Sequence, residues 1–154
     1  MRIIKLGLIS FVILFIVVFL ISLMIPSHIR ISRAVDLYNR RDSLLALIKN
    51  QNGWPPVYGD SAASAQLKAV HTILIEQTDS TLGYRLQQEG KKPALSGWQV
   101  YGPPSADSLT LQWRMDFDLG PWPWQKFGSL LYESTYGQMM EQGLTNLKKQ
   151  FPSK

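Results

Sequence analysis

The sequence contains no cysteine. Disulfides, thiolate metal sites and cysteine nucleophiles are therefore excluded. Histidine is nearly as scarce: His28 and His71 are the only two, too few for a histidine-based transition-metal site. There is no glycine-rich phosphate loop, no His-Glu-x-x-His pair and no Gly-x-Ser-x-Gly elbow. These are the local arrangements that cradle phosphate, hold zinc or aim a nucleophilic serine. No internal repeat is visible. Acidic residues number 11 against 16 basic ones, a net charge of +5. Arg2 and Lys5 flank the N-terminal apolar run, so the remainder is only mildly basic, and no nucleic-acid partner is expected. No metal, no cofactor and no catalytic set are expected either.

What the chain has in plenty is an apolar N-terminus. Leu6–Ile25 is an uncharged run of 20 residues whose only hydroxyls are Ser10 and Ser22. As a helix it reaches about 30 Å, the thickness of a bilayer's hydrocarbon core. A cleaved secretory signal has a shorter apolar core, about 7–15 residues, before a small-x-small site. Here the run ends in Leu23-Met24-Ile25-Pro26. Residues 1–27 therefore read as a retained, single-pass transmembrane anchor, with the lipid bilayer as its partner. Residues 28–152 read as one domain. Orientation cues conflict. Arg30, Arg33, Arg40 and Arg41 favour a cytoplasmic domain, whereas the short basic N-terminal tail favours a domain outside the inner membrane. The second is the reading adopted.

Beyond Pro26-Ser27, His28–Leu37 alternates as a strand. Asn39 is placed to cap a helix whose stripe is Leu44, Leu45, Leu47 and Ile48. Asn52–Asp60, dense in glycine and proline, reads as a loop. Four strands follow: Gln66–Gln77, Thr81–Glu89, Leu95–Gly102 and Ser108–Leu119, the first two as a hairpin about Asp79-Ser80. The last is the clearest. Leu109, Leu111, Trp113, Met115 and Phe117 point one way, with Thr110, Gln112, Arg114, Asp116 and Asp118 opposite, the pattern of a sheet with one buried face. Phe127, Leu130, Leu131, Met140, Leu144, Leu147 and Phe151 recur as one face of a long C-terminal helix, with Lys148, Lys149 and Lys154 at its dipole-favoured end. The fold class is α+β, a transmembrane helix followed by a curved antiparallel sheet packed on that long helix.

Two stretches carry a resemblance. Trp113–Lys149 holds Asp118-Leu119-Gly120 at a strand end. A helix follows with Gly137, Gly143-Leu144 and Asn146-Leu147-Lys148. Leu44–Pro56 holds a first helix and an Asn-Gly-Trp-Pro-Pro turn. Together they resemble the START-like, or SRPBCC, superfamily, often labelled polyketide cyclase/dehydrase, and within it a membrane-anchored branch. The family's helix-grip fold carries a strand pair where this chain has only about ten residues, Tyr58–Leu67, so the sheet is expected to be shortened.

The resemblance implies a cavity between sheet and C-terminal helix, around Phe127–Met140, for a hydrophobic or lipid-like small molecule. Tyr84, Trp98, Trp113, Met115, Phe117, Phe127 and Met140 are the expected ligand-binding residues, with Met139 beside them; all are equally suited to a core. His71, on the face of Leu67, Ala69, Ile73 and Ile75, reads as a core histidine rather than a base. Three functions are open: non-enzymatic binding of a hydrophobic molecule, an interaction protein whose cavity has collapsed, or a cyclase/dehydrase-type enzyme using His71 or Tyr84. A protein partner is not identified.

Overall fold

The structure, a computed structural model, describes residues 2–54, 70–90, 92–103 and 108–151. Helix α1 (Arg2–Leu23) is uncharged from Leu6 onward, and it stops just before Pro26, which lacks an amide hydrogen. Strand β1 (His28–Leu37) follows, then helix α2 (Arg41–Asn50). Strands β2 (His71–Gln77), β3 (Thr81–Gln87), β4 (Ala94–Tyr101) and β5 (Leu109–Asp118) form a meander. Helices α3 (Pro123–Ser129) and α4 (Tyr132–Gln150) close the chain.

The described strands form one antiparallel sheet in the order β1-β5-β4-β3-β2. The first strand thus pairs with the last, from His28 opposite Asp118 to Leu37 opposite Leu109. The expected β4–β5 ladder is present, with Trp98 opposite Trp113, and so is the β2–β3 hairpin. β5 buries the face its alternation marks out: Leu109, Leu111, Trp113 and Met115 are all buried. Facing them are Met140, Leu144 and Leu147 of α4 and Leu44 and Ile48 of α2, in one contiguous core.

Two tryptophans centre that core. Trp98 and Trp113 have no exposed surface, and their rings stack at 4.6 Å and 10°. Each indole N–H is satisfied. Trp113 donates to Ser96 Oγ at 2.9 Å, and Trp98 donates to the Gly53 carbonyl at 2.9 Å. Gly53 has φ +78, and the Tyr84 ring lies 2.6 Å from where a Cβ would stand, so the turn after α2 needs glycine twice over.

Four expectations need correction. Asn39 does not cap α2; its side chain accepts from the next amide, Arg40 N, and the N-cap residue is Arg40 with no side-chain cap bond. The C-terminal helix is not one rod. It breaks between Ser129 and Tyr132, so Phe127, Leu130 and Leu131 leave the inner face and stand exposed. His71 is not a core residue. It pairs opposite Gln87, on the outer face of the edge strand, where Ile73 is also exposed. Gly137, inside the Phe127–Met140 stretch around which the cavity is expected, does not line one. It faces β1, and a Cβ there would meet Arg33 Nη2 at 2.6 Å. The expected strand start at 66–69, the gap Tyr58–Leu67, the loop from Pro55 onward and Lys154 lie outside the described residues.

Removing the ring at the core's centre tests this packing. Trp113→Ala deletes a fully buried side chain and strands the Ser96 hydroxyl, so it should lower stability by about 3–5 kcal/mol. Chemical denaturation of the detergent-solubilised chain measures this. A loss below about 0.5 kcal/mol, the usual range for a surface site, would contradict the burial.

Candidate functional site

A cleft of about 580 Å³ opens at one end of the sheet. Its position follows from the register. His28 starts β1 opposite Asp118 at the end of β5, Phe117 pairs with Ala94 at the start of β4, and Leu86 pairs with Ala94 from the end of β3. The sheet end from which α1 departs is therefore the end where the cleft lies. Two bonds fasten it there: Leu119 N donates to Ser27 O at 2.7 Å, and Gly120 N donates to Gln125 Oε1 at 2.8 Å.

One wall of the cleft is the inner sheet face: Leu86, Ala94, Met115 and Phe117. The opposite wall is the first half of α4: Tyr132, Thr135, Tyr136 and Met139. Trp54 and Val70 contribute from beyond α2, and Trp54 meets Trp113 edge-on at 6.2 Å. Gln88, Lys92, Asp118 and Gln125 supply polar groups. The space exists because α4 packs chiefly on β1, at the sheet's edge. There Arg33 Nη2 donates to Glu133 Oε1 at 2.5 Å. The helix crosses the sheet towards Met140, Leu144 and Leu147, which close down on the core, while its first two turns stay propped off β3 and β4.

Three rings do the propping. Phe117 lies 5.1 Å from Tyr132 and 4.8 Å from Tyr136, and the two tyrosines meet at 5.3 Å and 76°. Burial raises the Tyr136 phenol above the ordinary tyrosine range, with the neighbouring Tyr132 adding to the effect. Tyr136 is thus held neutral, a hydroxyl at an apolar wall that can donate to an ester, ketone or carboxylate.

The seven expected ligand residues divide. Met115 and Phe117 line the cleft, as does Met139. Trp98, Trp113 and Met140 are fully buried in the core. Tyr84 is also buried there, its hydroxyl without a partner among the described residues, and burial raises its phenol. Phe127 stands exposed on α3. Tyr132, Thr135, Tyr136 and Trp54 are cleft residues that the sequence reading passed over. The spacing of Tyr132, Tyr136 and Met139, three and four apart, was the available signal.

The groups that acid–base chemistry would have used are separated. His71 is on the outer face and Tyr84 on the inner one. The outer face holds an ion pair instead: Arg30 Nε donates to Asp116 Oδ1 at 2.5 Å, and that bond and charge raise the guanidinium's pKa. His28 Nδ1 lies 2.8 Å from Asp118 Oδ1 beside it. Among the described residues no group of three His, Asp or Glu side chains is placed to hold a metal.

A five-stranded antiparallel sheet gripping a C-terminal helix, with a cleft between them, is the helix-grip fold of START-like proteins. No family model matches the chain, and no curated protein matches it in sequence. Solved structures match it in fold. A protein from Nitrosospira multiformis superposes with TM-score 0.57 at 9% identity, over 81% of this chain and 97% of that one. The di-domain ARO/CYC StfQ from the steffimycin biosynthetic pathway gives 0.56 at 10% identity, over 79% of this chain and 50% of that one. A START superfamily protein from Mycobacterium smegmatis gives 0.51 at 13% identity, over 79% and 96%.

The cleft's tyrosine makes a pH prediction. A phenol whose pKa is raised on folding stabilises the fold fully below the unfolded value of about 10 and loses that contribution as pH rises through the folded value. Stability should therefore fall more steeply above about pH 10 in the native chain than in Tyr136→Phe. Phenolate absorbance combined with alkaline denaturation reads both. Identical alkaline profiles would mean that Tyr136 is freely solvated.

Proposed function

We propose that the chain is a single-pass membrane protein. In this reading residues 1–27 are its anchor, and residues 28–152 are a helix-grip domain that binds a hydrophobic, lipid-like small molecule without transforming it. The observation that carries the reading is the coincidence of the cleft with the sheet end from which α1 emerges. α1 contains a 21-residue stretch, Ile3–Leu23, long and apolar enough to cross a bilayer. A cleft beside its exit is within reach of acyl chains.

The cleft's make-up supports the same reading. A volume near 580 Å³ suits a drug-sized or single-chain lipid molecule. Leu86, Ala94, Met115, Phe117 and Met139 offer apolar contact, and methionine adapts to varied shapes. The hydroxyls of Tyr132, Thr135 and Tyr136 and the ammonium of Lys92 are the polar groups that would fix a headgroup. The fold shared with a START superfamily protein and with an ARO/CYC protein fits a ligand-binding role. The separation of His71 from Tyr84 favours binding over catalysis. The reading of a collapsed cavity draws on the solid packing of Trp98 and Trp113, but the space beside Met115 weighs against it.

The test is occupancy. The detergent-solubilised chain should take up one equivalent of an environment-sensitive apolar dye, displaced by a single-chain lipid and recovered chemically unchanged. Thr135→Trp, at an exposed helix position facing the cleft, should reduce uptake at least tenfold while the circular dichroism spectrum is kept. Dye binding that survives Thr135→Trp and Met139→Trp alike would place the ligand elsewhere.

A further inference from the structure

Helix α3 is inside out. Its inward positions, three apart, are Pro123, Lys126 and Ser129. Two of these are polar and both are satisfied. Lys126 Nζ donates to the Ile25 carbonyl at 2.9 Å, and Ser129 Oγ donates to the Lys126 carbonyl at 2.6 Å. Its outward side, with the residues that flank it, is apolar apart from Gln125 and Gly128. Trp122 is 49% exposed, Trp124 61%, Leu130 63% and Leu131 66%, with Phe127 beside them at 37%. The two tryptophans stack on each other at 4.9 Å, away from the core. A helix that faces water puts its lysine and serine outside and its leucines inside. A contiguous apolar patch of this kind on a protein surface marks a partner.

The position of the patch selects the partner. α3 packs on α1. Between Ile3 and Ile25 the residues that are not exposed are Val18, Phe19 and Ser22, one side of the last turns of α1, and Ile25 just beyond it. Ser22 is fully buried, its hydroxyl bonded to the Phe19 carbonyl at 2.7 Å. From Val18 to Ile25 is about 10 Å along a helix. The headgroup zone on each side of the hydrocarbon is roughly 5–8 Å deep. A bilayer that holds α1 therefore reaches α3, and it meets there a pair of tryptophans, the residue that headgroup zones favour.

We infer that α3 and the Leu130-Leu131 turn form a second membrane contact, lying in the headgroup–acyl boundary with Trp122, Trp124, Phe127, Leu130 and Leu131 in lipid. The inference rests on α1 crossing the bilayer. Lys126, bonded to the Ile25 carbonyl two residues past the end of α1, holds the two elements at one depth. The sheet end that bears the cleft is then fixed against the membrane surface instead of swinging on a flexible tether. Gln125 joins the two, since it borders the cleft and accepts from Gly120 N.

The experiment uses the full chain reconstituted in phosphatidylcholine vesicles, with bromine carried at shallow or deep positions on the acyl chains. Shallow bromine should quench the tryptophan emission more than deep bromine. Most of that quenching should vanish in the Trp122→Phe/Trp124→Phe double variant. Leu130→Asp/Leu131→Asp, at exposed positions, should also lose most of it while the chain still resists alkaline carbonate extraction. If the chain resists extraction but shallow bromine quenches no more than in the double variant, α1 is an anchor and the docking of α3 is wrong. Emission insensitive to bromine together with crosslinking between copies through α3 would overturn it in favour of a chain–chain contact. Release of the chain by carbonate would remove the anchor and the docking together.

Discussion

The ladder between β1 and β5 is the constraint on which the rest of the structure depends. β1 begins five residues after α1 ends, and β5 ends five residues before α3 begins. Pairing His28 with Asp118, and so on to Leu37 with Leu109, forces the exit of α1 and the entrance of α3 to the same corner. Leu119 N on Ser27 O and Lys126 Nζ on Ile25 O then tie that corner together. An apolar N-terminal helix, an outward-facing aromatic helix and the mouth of the cleft become neighbours through one antiparallel register. A slip of one residue would turn Ile31 and Val35 outward and send Arg30 and Asp36 into the core.

Within the sheet, the same inner face does two jobs at its two ends. Towards Leu37 and Leu109 it is closed: α2 brings Leu44 and Ile48 down, the Trp98–Trp113 pair fills the middle, and Met140, Leu144 and Leu147 complete the layer. Towards Phe117 the face is opened by rings standing on edge between sheet and helix. Large aromatics give stiffness without filling all the space they hold apart, so the cleft is a consequence of side-chain size at Phe117, Tyr132 and Tyr136. The polar outer face is separate. Arg30 and Asp116 pair there, across the ladder from one another, and fix strand register without entering the cleft.

The strands were legible because period-two alternation is a local signal, and β5 carries it over ten residues. Apolar spacing alone could not say where the C-terminal helix breaks. Phe127, Leu130 and Leu131 match the helical period of Met140 and Leu144, yet Phe127 belongs to a short helix begun by Pro123, and Leu130 and Leu131 to the turn that follows it, all facing another surface. His71 was misread for a related reason. Its neighbours Ile73 and Ile75 are apolar, but β2 is the edge of the sheet among the described strands and both of its isoleucines are exposed. For the site, sequence distinguishes inner from outer face but not filled from empty. Met115 and Trp113 are two apart on one face; one meets the cleft and the other a tryptophan, according to how far α4 stands from the sheet.

The central claim is that the cleft beside the exit of α1 holds a molecule drawn from the bilayer. Native mass spectrometry of the chain, released from nanodiscs of defined lipid composition, tests it most directly. The account predicts a one-to-one adduct with the mass of a lipid or lipid-like component, reduced in Thr135→Trp and unaffected by Ile73→Ser on the outer face. A chain that emerges without an adduct from every lipid mixture, or whose adduct is indifferent to Thr135→Trp, would contradict it.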